Sequence, residues 1–249
     1  MKSRKKCLVM VLSSMVNDGP SPMNGGPDVF KRLYEESIDS WAKSPNENTG
    51  VYFYFGQTTP QHWLNKPDNV ILCSMPEGLS YPTLIGKTIE AFQYALDNYD
   101  FDYIFRPCAG SYIDTDVLSS FLDCLPKEKL YYGPQGFVSG INYVSGSAIV
   151  LSRDLVENLV VNEAKIDRNL IDDMAFGQYI VQQLGINIHE VPGHKQVFEL
   201  YESTLTQQEF AEVIQKRDYY HYHIRKRWEF MDFIHKAIME INNVGVRTN

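Results

Sequence analysis

The chain has no apolar run approaching the roughly 20 residues that a membrane span requires. Its basic start (Lys2, Arg4, Lys5, Lys6) followed by apolar Cys7–Val16 has the look of a signal-peptide front. The apolar part is short, however, and no small-residue cleavage site follows it. A soluble, cytoplasmic protein with no transmembrane span is the expectation. Positive charge is also scarce: 23 Lys and Arg face 31 Asp and Glu, a formal net charge of −8. A reader of phosphate backbones needs a broad positive face, so no nucleic-acid partner is expected. There is no CxxC pair and no histidine at metal-finger spacing from Cys7, Cys73, Cys108 or Cys124, which read as reduced thiols. Internal repeats, heptads and low-complexity blocks are missing too, which excludes solenoids and coiled coils.

What is present is an aromatic-rich globular composition, with 16 Tyr and 13 Phe in 249 residues, enough chain to bury a substantial core. Apolar runs at Cys7–Ser13, Val51–Phe55 and Asn69–Cys73 read as buried strands. Helical spacing marks Asp28–Ala42, with Asp28 as a possible N-cap, then Tyr81–Tyr99, Asp114–Leu125, Arg153–Val161 and Asp172–Leu184. Asn17–Pro27 is too rich in Gly, Pro and Asn for regular structure. Shorter strand or turn pieces are expected at Leu130–Gly133, Gly136–Ser139, Gly146–Leu151 and Ile186–Val191, and a last helix from about Arg227. Strands alternating with helices predict an α/β fold, a mostly parallel mixed sheet flanked by helices. A single domain is expected, in two halves at about 1–125 and 126–249. The stretch Asp100–Leu118 organises it. An aromatic strand breaks at Arg106-Pro107, passes Cys108-Ala109-Gly110 and enters a helix after Asp114; ligands bind at the end of such a strand.

Several segments between about residues 50 and 185 occur in an order that resembles the inverting GT-A glycosyltransferases. The group concerned is that of the β-1,3-galactosyltransferases, β-1,3-N-acetylglucosaminyltransferases and Fringe. Val51–Gln57 (VYFYFGQ) resembles that family's apolar strand ending in Leu-Gly or Phe-Gly. Leu84–Phe92 (LIGKTIEAF) is similar to its Asn-Leu-Thr-Leu-Lys-Thr helix, with Lys87 at the lysine. Gly140–Asp154 (GINYVSGSAIVLSRD) resembles its Ser-Gly-Gly-Tyr-Val-Leu-Ser motif. Ile171–Gly177 (IDDMAFG) is similar to Glu-Asp-Val-Tyr-Val-Gly, which supplies the catalytic base. The resemblance implies a GT-A-like (Rossmann-like) fold of the soluble microbial or viral type. It also implies a nucleoside diphosphate sugar donor, UDP- or GDP-type, and a glycan acceptor. One departure stands out: the metal-binding Asp-x-Asp of the family falls on Cys108-Ala109-Gly110, none of which holds a hard cation well.

Transfer of a glycosyl group requires a neutralised leaving diphosphate, a deprotonated acceptor hydroxyl and a sugar held for in-line attack. The resemblance points to Asp173 as base, with neighbouring Asp172 as partner or sugar ligand; two helix-capping acids are the plainer alternative. Without a metal, phosphate binding would fall to Arg106, Lys87 and the run containing His221, His223, Arg225 and Lys226, otherwise a solvated basic helix start. Ser13 follows the first strand, where nucleotides usually sit. Gly146 and Ser147 would let backbone approach sugar or acceptor closely. Asp114 and Asp116 read either as an N-cap with a first-turn acid or as a displaced Mn²⁺ or Mg²⁺ site, which His223 could join. His189 and His194 read as structural or surface residues. Two rival readings stay open. One is a catalytically inactive carbohydrate- or nucleotide-binding module. The other is a sugar nucleotidyltransferase, against which stands the lack of a Gly-rich, Arg/Lys-containing loop after the first strand.

Overall fold

A computed structural model describes residues 2–17, 28–61, 64, 67–192, 197–199, 205–224 and 230–247. In chain order the elements are β1 (Ser3–Leu12), α1 (Val29–Asp39), β2 (Thr49–Phe55), β3 (Val70–Leu72), α2 (Tyr81–Asn98), β4 (Tyr99–Pro107) and β5 (Ser111–Ile113). There follow α3 (Thr115–Leu122), β6 (Tyr131–Tyr132), β7 (Gln135–Val138), β8 (Ile141–Val144), β9 (Ala148–Ser152) and α4 (Arg153–Val161). The last are α5 (Asp172–Gly177), β10 (Val197–Glu199), α6 (Gln207–Gln215), β11 (His221–His223) and α7 (Phe230–Arg247).

The main sheet has six strands in the order β3-β2-β1-β4-β9-β6. The first four run parallel, β9 is antiparallel to β4, and β6 is antiparallel to β9. The continuous apolar sequence of β1 follows from its central place, because both faces of the strand are covered. One face packs on α1, α3, α6 and α7, and the other on α2, α4 and α5, so two hydrophobic clusters sandwich the sheet. The mostly parallel mixed sheet between helices matches the sequence expectation. Strand order reverses between β1 and β4: the chain moves outward from β1 to β2 and β3, then crosses back to place β4 on β1's other side. The carboxyl ends of β1 and β4 therefore splay around a crevice, the usual ligand position in open α/β sheets.

Side-chain caps mark two of the helix starts. Asp114 accepts a hydrogen bond from Val117 N and caps α3, and Thr206 with Glu209 forms a capping box at α6. Asp28 occupies the N-cap position of α1 but makes no side-chain cap bond.

Two sequence expectations need correction. Ile186–Val191 is not a strand; His189 N donates to Tyr131 O (2.8 Å) beside β6, without a ladder forming. His221-Tyr222-His223 is not a solvated helix start but strand β11, paired antiparallel with β5 and parallel with β10. Three-residue strands carry too little periodicity to be read in advance. Here the alternation of histidine and tyrosine reflects burial on both sides of a small sheet, β10-β11-β5. Helix α7 begins at Phe230, close to the expected start, and residues 225–229 lie outside the described part.

Candidate active site

A cleft of about 340 Å³ opens at the carboxyl ends of β1 and β4. That volume falls in the range of small-molecule sites. Five segments build it: Leu12-Ser13-Ser14 after β1, Arg106 and Cys108-Ala109-Gly110 at β4, Ser145-Gly146-Ser147 before β9, Ile171-Asp172-Asp173 entering α5, and His223 at the end of β11. Phe30, Leu79 and Leu84 add an apolar side.

The adjacent carboxylates differ sharply. Asp172 is buried and forms an ion pair with Nη2 of Arg106, itself 1% exposed. The same guanidinium donates from Nη1 to Gly146 O (2.7 Å) and from Nε to Tyr54 Oη (3.1 Å). Arg106 is thus engaged by protein acceptors on three sides. Arg106, expected from the sequence to bind phosphate, lines the cleft and there braces Asp172 and the Gly146 loop.

Asp173 is only partly buried. Its Oδ2 accepts from Gly146 N (2.9 Å) and its Oδ1 from Met174 N (2.8 Å), fixing the carboxylate plane. Burial and then the charge of Asp172 push its pKa up to about 6, outweighing the two backbone bonds and Arg106. Such a carboxylate is ionised at neutral pH and more basic than an ordinary one, as a general base requires. Gly146 is needed for this packing: a Cβ there would lie 2.9 Å from Arg106 Nη1 and 3.3 Å from Asp173 Oδ2. Ser147 is buried on the same loop, whose Ser145 and Ser147 hydroxyls lie 3.1 Å apart.

On the β4 wall, Cys108 Sγ lies 3.4 Å from His223 Nε2. Burial would raise the thiol, but His223, with Gly110 and Ser111, draws it down to about 7. His221 does not reach the cleft lining. It is wholly buried, its Nε2 is 2.8 Å from Ser111 Oγ, and burial followed by His223 holds it well below the usual histidine range, hence uncharged. The cationic role expected for His221 is therefore corrected, while His223 keeps its place in the cleft. Arg225, Lys226 and His194 lie outside the described residues.

Lys87 lies beneath the cleft rather than in its lining. Its buried ammonium donates to Ser13 O (3.2 Å) and pairs with Glu77 Oε1 (3.2 Å). Glu77 in turn accepts from Ser14 Oγ (2.8 Å) and Gly56 N (2.7 Å), tying together the ends of β1, β2 and α2. Although burial raises its pKa, Lys87 and the bonds from Thr59, Ser14 and Gly56 hold Glu77 below the usual range. Sequence reasoning missed Glu77. The available signal was Lys87 itself, set among Leu84, Ile85 and Ile89 on the apolar face of α2, where a buried cation demands a carboxylate.

Asp114 and Asp116 sit in a separate cleft with Trp41 and His235. Besides capping α3, Asp114 accepts from Arg217 Nε (3.1 Å), and Asp116 accepts from Asn46 Nδ2 (2.8 Å). Of the two readings of this pair, the geometry supports the helix cap. The cleft residues do not fit a hard divalent cation. Cys108-Ala109-Gly110 offers no carboxylate, and Asp172 is taken by Arg106. Among the described residues no group of three or more His, Cys, Asp or Glu side chains is arranged to hold a metal ion. Nor is any helix among them long and apolar enough to cross a membrane.

No family model matches this chain. Solved structures do share its fold. It superposes on a glycosyltransferase involved in the glycosylation of the major capsid of PBCV-1 with a TM-score of 0.50 and 14% identity, over 91% of this chain and 99% of that one. The apo-form glycosyltransferase GlyE of Streptococcus pneumoniae TIGR4 gives 0.49 and 13%, over 98% of this chain and 64% of that one. A 4-diphosphocytidyl-2C-methyl-D-erythritol synthase gives 0.41 and 12%, over 74% and 88%. The last two scores are too low to carry weight. What the first establishes, with the sheet order above, is a GT-A-like α/β fold.

Proposed function

We propose that the chain is a glycosyltransferase that moves a sugar from a nucleoside diphosphate sugar to an acceptor hydroxyl with inversion, Asp173 acting as general base. The observation that carries this reading is the unequal carboxylate pair at the switch point of the sheet. Asp172 is neutralised by Arg106, while Asp173 faces the cleft, fixed by two backbone bonds and made more basic by burial and its neighbour. Asp173 takes the proton of the acceptor hydroxyl as that oxygen attacks the anomeric carbon. The bond from that carbon to the diphosphate breaks, and the nucleoside diphosphate leaves from the opposite face. The apolar side formed by Leu12, Phe30, Leu79 and Leu84 receives the nucleoside. His223 faces the diphosphate; Arg225 and Lys226 follow it by two and three positions in the chain and are assigned to the same task from sequence alone. Side chains take up the leaving diphosphate, since Cys108-Ala109-Gly110 offers no ligands for a hard cation.

The expected donor is of the UDP or GDP type, the acceptor a glycan hydroxyl, and the β-1,3-transferase and Fringe group the source of the motif resemblance. One catalytic domain is proposed, its first half holding the donor and its second half the acceptor. A second reading is favoured by one observation: Cys108-Ala109-Gly110 in place of acidic metal ligands would suit an inactive nucleotide- or sugar-binding module.

Nucleotide binding is the first requirement of either reading. Thermal unfolding of the full chain is expected to shift upward with UDP or GDP in EDTA. A ligand at 100 times its Kd adds about 2.7 kcal/mol. At this chain length that corresponds to roughly 5–10 °C. No shift with any nucleoside diphosphate or nucleotide sugar at millimolar concentration would overturn the proposal.

A further inference from the structure

Cys108 stands apart from the other thiols. Cys7 and Cys73 are buried, and burial pushes both up to about 12. Cys124 is exposed on the surface. Cys108 alone lines the cleft, its sulfur 3.4 Å from His223 Nε2 and 3.9 Å from Ser111 Oγ. His223 lines the same cleft, with His221 next to it on β11 and in ring contact (5.9 Å between centroids). An imidazole at this distance can accept the thiol proton and hold the resulting thiolate as an ion pair, the arrangement that makes a cysteine nucleophilic. His221, held uncharged, does not compete for that proton. The other titratable groups on the cleft are Arg106, Asp172 and Asp173, and the first two neutralise each other.

We propose that Cys108 is a covalent modification site: its His223-paired thiol exchanges with low-molecular-weight disulfides, and the mixed disulfide occupies the cleft and excludes its ligand. The sulfur gives its proton to His223 Nε2, and the thiolate attacks one sulfur of R–S–S–R. A new S–S bond to Cys108 forms as the reagent's S–S bond breaks, and the departing RS⁻ takes the proton as RSH. Cys108 is oxidised to the disulfide level, half of the reagent is reduced, and an added thiol reverses the step. That the adduct blocks a nucleotide rests on the reading of the cleft as a donor site; the reactivity of the thiol does not.

The two parts separate experimentally. Iodoacetamide labelling of the folded full chain, read by peptide mass spectrometry from pH 5.5 to 9, is expected to show Cys108 reaching half its plateau rate near pH 7. His223→Gln should move that midpoint upward and slow labelling at pH 7 roughly threefold, the loss of thiolate being partly offset by greater nucleophilicity. A Cys108 rate no greater than those of Cys7 and Cys73, or a pH profile unchanged in His223→Gln, would overturn the proposal. Oxidised glutathione should then abolish the UDP- or GDP-induced thermal shift, and dithiothreitol should restore it. Cys108→Ser should keep whatever shift it shows before treatment; an equal loss in that variant would place the modification elsewhere and overturn the blocking role. If untreated protein binds no nucleotide, the functional reading fails, and the labelling result alone decides the reactivity of Cys108.

Discussion

Asp173→Asn is expected to reduce sugar transfer by about 10²–10⁴-fold, the usual contribution of a general base, while leaving nucleotide binding intact. The same change is expected to raise the melting temperature at pH 7. In the folded chain Asp173 holds its proton up to about pH 6, against an ordinary value of 3.8, because burial and Asp172 disfavour its charge. Between those values the native state binds more protons than the unfolded one, so stability falls as pH rises through the interval. The full cost is present above about pH 6. A shift of about two pKa units corresponds to about 3 kcal/mol. Asn removes that cost but can accept only one of the two backbone bonds well, at about 1 kcal/mol for the lost bond. A net gain of roughly 1–2 kcal/mol, or roughly 2–8 °C at this chain length, is expected at pH 7. It should shrink as the pH falls and be absent near pH 4. A rise in stability coupled to loss of turnover marks a functional carboxylate held at structural expense. Wild-type turnover in Asp173→Asn would remove it as the base.

Arg106→Met is expected to cost about 3–5 kcal/mol, because it leaves the Asp172 carboxyl buried and without its ion-pair partner. Arg106 also holds Gly146 O and Tyr54 Oη, so the loop that presents its backbone N–H to Asp173 should loosen. In thermal unfolding the loss should reach roughly 6–20 °C. Adding Asp172→Asn to Arg106→Met should recover a large part of the loss, since the unpaired carboxyl is then gone. Were Arg106 a phosphate clamp instead, Arg106→Met would weaken nucleotide binding with little effect on the melting temperature.

The residues explain how much of this could be read in advance. Long elements with clear periodicity (the first strand, the second helix, the strand ending at Arg106) were legible, because their burial pattern repeats along the chain. The place of the site followed from the same strand, and Cys108-Ala109-Gly110, Gly146, Asp172 and Asp173 do converge there. What escaped was pairing across long sequence separation. Nothing local shows that Arg106 spends its guanidinium on Asp172, 66 residues away. Nor does anything local bring Glu77 to Lys87, or His221 to Ser111. Three-residue strands and side-chain partners depend on tertiary packing, and the partners of Arg106, Lys87 and His221 could not be read in advance for that reason.

The most direct test of the central claim is release of nucleoside diphosphate by the purified wild-type chain. A panel of UDP-, GDP- and dTDP-sugars would be offered with and without glycan acceptors, in EDTA and in Mn²⁺. The expected result is release from at least one donor at a rate that EDTA does not lower. Binding of a donor with no release under any of these conditions would contradict a transferase and leave a binding module in its place.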